Sequence, residues 1–400
     1  MRTDDRTQPR DDTNGKRGAE QLDDTRSAGV STGERSGGPS LVPVRRRATS
    51  ADIAAAWASV QPADSDIRRA LTRLHGKALA ILALVVTSYW VLVITDAALP
   101  VRMVAAVSLA AGLAAVGTNI MHDANHGSFS KLAWMNRVLA YTSDALGASS
   151  QLWRVQHNSL HHGNTNVVGY DTDLELGPFA RLAPTQRWHW WYRAQHFYIW
   201  PLYGFLTLKN LLVADAVTVI TGRLDGKPLR EPIRRRMVMS IVAGKVAHIG
   251  WAVGVPLLFN PWHAVLIFYV CCSWLVGFAL AVTFQLAHCV DLADVAEAGH
   301  SRRGVDFAAH QLRTTVDIDS HVPVAGHIFR FLVGGLDHQI EHHLSPRLPH
   351  TIYAEVARRF RTACRQRGIE HKQHAGVLAA VRSHARWLRV MSRPPAIVHG

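Results

Sequence analysis

Three groups of histidines punctuate this chain of 400 residues: His122-Asp-Ala-Asn-His126, His157-Asn-Ser-Leu-His161-His162 and His338-Gln-Ile-Glu-His342-His343. An imidazole nitrogen is a neutral, borderline ligand that suits iron, zinc, copper and nickel, whereas calcium and magnesium prefer oxygen. On a helix, residues four apart share a face. His122 with His126, His157 with His161, and His338 with His342 can therefore each turn two imidazoles to one side. His122, His126, His157, His161, His162, His342 and His343 offer more donors than one metal takes, and His288, in Phe284-Gln-Leu-Ala-His288, joins them. Such a set suits two metals with positions left open for dioxygen or water. Histidines without paired spacing, among them His350, His371 and His384, read as ordinary core or surface residues.

Acidic and amide side chains sit beside these donors. Asp123, Asn125 and Glu341 have oxygens that can accept the other ring N–H of a ligating histidine, which fixes its tautomer and raises its basicity. Asp171 and Asp173, in Gly169-Tyr-Asp-Thr-Asp173, can do the same or hold a substrate headgroup; a solvated acidic loop is the alternative reading.

Each histidine group begins near or beyond the end of an apolar stretch, so the elements that must position them are membrane spans. Hydrophobic residues make up 48% of the chain and are gathered into a few long runs, as in a membrane protein. Four spans are expected, at about 78–99, 103–121, 238–259 and 262–286, arranged as two hairpins with short turns at Pro100 and at Asn260-Pro261. The stretches Leu132 to Leu152 and Trp200 to Ile220 carry polar residues that favour helices lying along the interface. Residues 1–50 are polar and poor in large apolar side chains, which predicts a disordered tail without a secretory signal. Residues 51–77 form a basic approach to the first span, residues 78–370 the membrane domain and residues 371–400 a basic C-terminal tail.

The formal charge of +14 and a pI near 10.1 raise the question of nucleic acid, but no nucleic-acid motif is present and the basic residues flank the apolar runs. Basic flanks fit the positive-inside pattern and an anionic lipid surface. The segment between the hairpins carries Lys131, Arg137, Arg154, Arg181, Arg187 and Arg193 among others, while the turns within the hairpins carry almost none. Both termini, the middle segment and all three histidine groups are thus expected on the cytoplasmic side. Four cysteines, two of them adjacent at Cys271 and Cys272, imply neither a disulfide framework nor a zinc ribbon.

Met121-His-Asp-Ala-Asn-His-Gly127, the run Trp153 to Asn166 and Gly334-Gly-Leu-Asp-His-Gln-Ile-Glu-His-His-Leu344 resemble the three histidine boxes of the membrane fatty acid desaturases. The branch is the one that includes linoleoyl-CoA and front-end desaturases, and the similarity covers roughly residues 75 to 370. The resemblance implies an all-α integral membrane fold, with a cytoplasmic helical cap holding a histidine-ligated di-iron site. It assigns His122, His126, His157, His161, His162, His288, His342 and His343 to the metals. At the start of the third box Gln339 is the family-matched position, while His338 reproduces the spacing of the second box; both stay open as ligands, and His310 is a further candidate.

The implied activity is insertion of a cis double bond into a long-chain acyl substrate, acyl-CoA or acyl-lipid. Such C–H bonds have no useful acidity, so dioxygen activated at the metals and electrons from outside are required. The chain has no His-Pro-Gly-Gly haem motif, no cysteine set for an iron–sulfur cluster and no Gly-x-Gly-x-x-Gly fingerprint for a flavin or nicotinamide. A separate donor, a ferredoxin with its reductase or a cytochrome, is therefore expected to dock on the basic face. A di-iron lipid or carotenoid hydroxylase or ketolase is the nearest alternative. A metal transporter or receptor is more remote, since its ligands would lie near mid-membrane.

Overall fold

The computed structural model describes residues 49–224, 227–228, 231–296, 306–320 and 325–395. All but the last two residues of the expected N-terminal tail lie outside the described residues. Among the described residues, four helices are long and apolar enough to cross a membrane: Asp64–Val93, Leu99–His126, Arg234–Leu257 and Trp262–His288. About 20 residues suffice to span the hydrocarbon. Each of the four is longer, so some of its turns stand outside the apolar layer.

The bounds differ from the hydropathy reading in instructive ways. The first helix begins at Asp64, because the basic stretch before residue 78 is itself helical and continuous with the span. Pro100 does not separate two helices; it occupies the first turn of the second one, where its missing N–H costs nothing, and the turn lies at residues 94–98. Arg102 closes this end of the hairpins. Its guanidinium donates to the Leu92 carbonyl (3.0 Å) and to Asn260 Oδ1 (2.6 Å), and the Asn260 amide donates to the Val93 carbonyl (3.0 Å), pinning both turns together.

Small residues let the spans approach closely. A Cβ on Gly112 would stand 2.7 Å from a Val85 methyl, so the first and second spans meet there backbone to side chain. Ala110 and Ala114 of the second span pack on Cys272 and Val276 of the fourth. Gly277 of the fourth span admits the Gly204 carbonyl, which a Cβ would meet at 2.4 Å.

That carbonyl belongs to a helix pair, Trp190–Tyr203 and Leu206–Thr221, bent by 78°. Pro201 and the Trp274 indole seated against Gly204 account for the break. The stretch from Leu132 to Leu152 breaks into the short helices Ala133–Ala140 and Thr142–Ala145 and the start of Ser150–Arg154.

The C-terminal region is not a loose tail from residue 371. Helix Tyr353–Arg367 packs on the N-terminal helix Ser50–Ala58, with Trp57 and Phe360 edge to face at 5.0 Å. Helix Val377–Met391 buries Ala380, His384 and Leu388, and His384 is bonded to the Tyr203 hydroxyl (2.8 Å) and the Cys289 carbonyl (2.6 Å). The composition of this stretch is basic, but its apolar and small residues recur with helical period, which is what docks it.

Candidate metal centre

The second span changes winding before it reaches the first histidines: residues Val116–Met121 are π-helical, and His122–His126 resume the α-helix. Single π turns inside α-helices widen the spacing of side chains and are frequent at functional sites. His122 and His126 do lie together, ring centroids 4.6 Å apart. The second group sits within another π segment, Val155–His161, where the closest pairing is five residues apart. His157 Nε2 and His162 Nε2 are 3.2 Å apart, while His161 stacks beside His157 at 5.3 Å between ring centroids and also reaches His288 (4.6 Å) and His343 (5.0 Å).

The imidazoles consequently gather as two sets drawn from all parts of the chain. His122, His126, His157 and His342 form one; His161, His288 and His343 form the other; His162 lies between them, beside His342 and His343. Within each set the candidate ligand atoms are no more than 4.8 Å apart.

Nδ1 of five of these rings is engaged from behind. His122 Nδ1 faces Asp123 (3.4 Å), His161 Nδ1 faces both oxygens of Asp171 (3.1 Å), and His342 Nδ1 meets the Tyr353 hydroxyl (3.2 Å). His343 Nδ1 donates to Gln311 Oε1 (2.9 Å) and His288 Nδ1 to the Thr314 carbonyl (3.4 Å). Their inner atoms are bare. Nε2 of His122, His126, His161, His288, His342 and His343 is buried with no hydrogen-bond partner.

Buried polar atoms are rarely left unpaired, and six such atoms, five of them on rings anchored on the far side, is the arrangement a metal ligand set requires. Burial holds His157, His162, His342 and His343 well below the usual histidine range, so each is a neutral lone-pair donor. His161 differs. Burial pulls it down too, but the Asp171 and Asp173 carboxylates overcome that and push it up to about 9, so the metal-free ring carries both protons, and a metal at Nε2 would displace one of them while Nδ1–H stays on Asp171.

The fatty acid desaturase family model matches residues 98–375. The chain belongs to the fatty acid desaturase family. It is 31% identical over 328 residues to the sn-1 linoleoyl-lipid 6-desaturase of Arthrospira platensis, covering 80% of this chain and 86% of that one. It is 32% identical to the enzyme of the same description from Synechocystis sp., over 74% of this chain and 81% of that one. An acyl-lipid (8-3)-desaturase of Physcomitrium patens is also 32% identical, over 77% of this chain and 64% of that one. The protein is a fatty acyl desaturase, an oxidoreductase of lipid metabolism.

The structure of this desaturase separates the candidates at the third box. Helix Gln339–Leu344 begins after His338, whose φ of −115° and ψ of 64° are not helical, so His338 and His342 do not share a face. The Gln339 side chain lies against His288, with its amide nitrogen buried and unpaired. His338 turns instead toward Asp317 and Asp337, 3.7 Å from each. His310 belongs to neither imidazole set; its Nε2 donates to the Thr165 carbonyl (2.9 Å).

Asp123 and Asp171 stand where ring N–H groups point, and Asp173 comes within 3.5 Å of His161. Asn125 and Glu341 do not meet the cluster rings. Asn125 donates to the Met121 carbonyl (3.0 Å) and accepts from Arg154 (3.3 Å), and Glu341 bonds His371 (3.2 Å). Both side chains are instead taken up by partners away from the cluster.

Sequence reasoning passed over Gln311, Tyr353 and His350. His350 Nδ1 bonds Asp123 Oδ2 (2.9 Å) and its Nε2 meets Lys77 Nζ (3.1 Å), so a polar chain runs from the first span to His122. None of these residues has a spacing signal; only their buried partners mark them.

Proposed function

We propose that this desaturase holds two iron ions in its two imidazole sets and inserts a cis double bond into the acyl chain of a membrane lipid. The observation that carries the reading is the convergence of bare, buried Nε2 atoms at the ends of the second and fourth spans. His122, His126, His157 and His342 would hold one ion and His161, His288 and His343 the other, with His162 between them and the Gln339 amide beside His288. Iron bound there would supply the activation of dioxygen that abstraction of unactivated hydrogens demands.

The protein's own part is positioning and exclusion of water. Asp123, Asp171, Gln311 and Tyr353 fix ring orientation, so little reorganisation is needed when charge changes at the centre. Between the spans lies a small apolar cavity of about 50 Å³, lined by Tyr89, Leu109, Leu113, Leu146, Phe268 and Val276 among others. Leu146 also packs at Gly117, one π turn before His122. The cavity is thus in line to receive the far end of an acyl chain whose reacting carbons lie at the metals.

Lipid-linked substrate is favoured over acyl-CoA because the relatives in Arthrospira, Synechocystis and Physcomitrium are described as acting on lipid-linked chains. The same descriptions count against the hydroxylase and ketolase readings. The basic segments support a cytoplasmic location for both termini and the metal centre, where a ferredoxin with its reductase, or a cytochrome, would deliver electrons.

Expression in a host of known lipid composition, followed by mass spectrometric location of double bonds, tests this. A new double bond in intact membrane lipid supports it. An added hydroxyl or keto group, or a purified chain that turns over with a nicotinamide cofactor alone, would refute it.

A further inference from the structure

Outside the two imidazole sets, Asp317, His338 and Glu341 form a third group whose donor atoms lie within 4.8 Å of one another. Asp317 and Glu341 are fully buried and His338 is 3% exposed. Asp317 Oδ2, Glu341 Oε2 and both ring nitrogens of His338 lack any hydrogen-bond partner. His371 adds a second imidazole, its Nε2 3.2 Å from Glu341 Oε1 and 3.7 Å from Asp317 Oδ2.

The distances narrow what belongs in the middle. His338 Nδ1 and His371 Nε2 each stand 3.7 Å from Asp317 Oδ2, too long for a direct hydrogen bond. One water accepting and donating tetrahedrally would hold its partners about 4.6 Å apart, given hydrogen bonds of about 2.8 Å. Donors about 2.0 Å from a tetrahedral zinc are about 3.3 Å apart. The observed spacing lies nearer the latter.

We propose that Asp317, His338 and Glu341, with His371 as the nearest further donor, bind a single divalent transition metal, zinc by the closed set of two imidazoles and two carboxylates. Such a donor set favours zinc over calcium or magnesium. Neighbouring charges are compatible with a cation. Asp337 is already neutralised by Arg330 (2.9 Å) and bonded by Ser320 (2.6 Å), so it stays outside the set. Arg361, partly exposed, stands 3.7 Å from Asp317 Oδ2 and closes the outer side.

The metal would be a clasp. Asp317 lies on the short strand Asp317–Ile318, which pairs in parallel with Gln373–His374 just after His371, and Asp317 Oδ1 also accepts the Ile340 amide (3.0 Å). Glu341 immediately precedes His342. One ion therefore joins the C-terminal region to the third-box helix and holds the latter's pitch. The proposal does not depend on which reaction the histidine centre runs.

The test is elemental analysis of the full-length protein, purified in detergent and freed of unbound metal, beside the variants His338→Gln and Asp317→Asn. Each folded variant is expected to hold one metal equivalent fewer than the wild type, whatever the histidine centre retains, with zinc-edge absorption of the wild type showing nitrogen and oxygen neighbours at about 2.0 Å. Should neither variant fold, His371→Gln, the outermost donor, takes their place. The same count in wild type and folded variant overturns the proposal and leaves a proton-shared network.

Discussion

Asp171 touches no reacting atom, yet both of its oxygens lie 3.1 Å from His161 Nδ1 and it also takes the Asn166 amide at 2.7 Å. Removing a carboxylate behind a metal-binding histidine weakens metal affinity by about 10- to 100-fold. Asp171→Asn is therefore expected to leave the fold intact while iron per chain and product fall together; full iron retention would show that Asp171 does not orient the ligand. His384 gives a separate expectation about pH. Burial holds it down to about 4 against the pull of the Cys289 carbonyl, so it stays neutral in the folded protein and charges readily in the unfolded one. With an unfolded value near 6.5, its effect is absent above about pH 6.5 and destabilises progressively as pH falls toward about 4. Thermal unfolding in detergent at pH 7 and pH 5 should show a smaller drop for His384→Gln than for the wild type, and equal drops would contradict the assignment. The residue types of the centre were legible because paired imidazoles are rare. Their partners were not, since Gln311, Tyr353 and His350 approach from 11 to 227 residues away in sequence.

At the scale of elements, Gly334 couples the second span to the third box. Its φ of +64° is left-handed, and a Cβ would stand 2.4 Å from the Thr118 carbonyl, in the π segment that precedes His122. Gly368 has a similar φ of +66° with nothing within 4 Å of its Cβ position. Gly368→Ala should cost about 1–2 kcal/mol, the left-handed penalty alone, whereas Gly334→Ala adds a backbone clash and should abolish metal binding. Comparing folded yield and iron content of the two variants checks this; equal effects would mean the close approach is immaterial. Four spans could be read from hydropathy, but their ends could not. Proline at a first helical turn looks like a break in a window average, and a basic start to a helix looks like a loop. The four-residue spacing assumed a regular α-helix, and the π turns at 116–121 and 155–161 regroup the rings, so that the nearest nitrogen to His157 Nε2 within the second box is that of His162, five residues on. Nothing in a residue pattern announces a π turn.

In the whole molecule, the imidazole sets at the span ends lie along the same helices as an apolar cavity between the spans. Leu113 lines that cavity and belongs to the same span as His122 and His126. Leu113→Trp should fill it and shift the accepted acyl chain toward shorter lengths with the metal content unchanged; an unaltered chain-length profile would place the substrate elsewhere. The convergence of the three boxes was legible from charge pattern and span count together, whereas the cavity was not, because its walls come from helices whose rotation no motif encodes. The most direct test of the central claim is location of double bonds in the lipids of a host expressing the wild type beside one expressing His161→Ala. A new double bond with the wild type and none with the variant is the predicted result. No new double bond with the wild type, or one that persists in the variant, would contradict it.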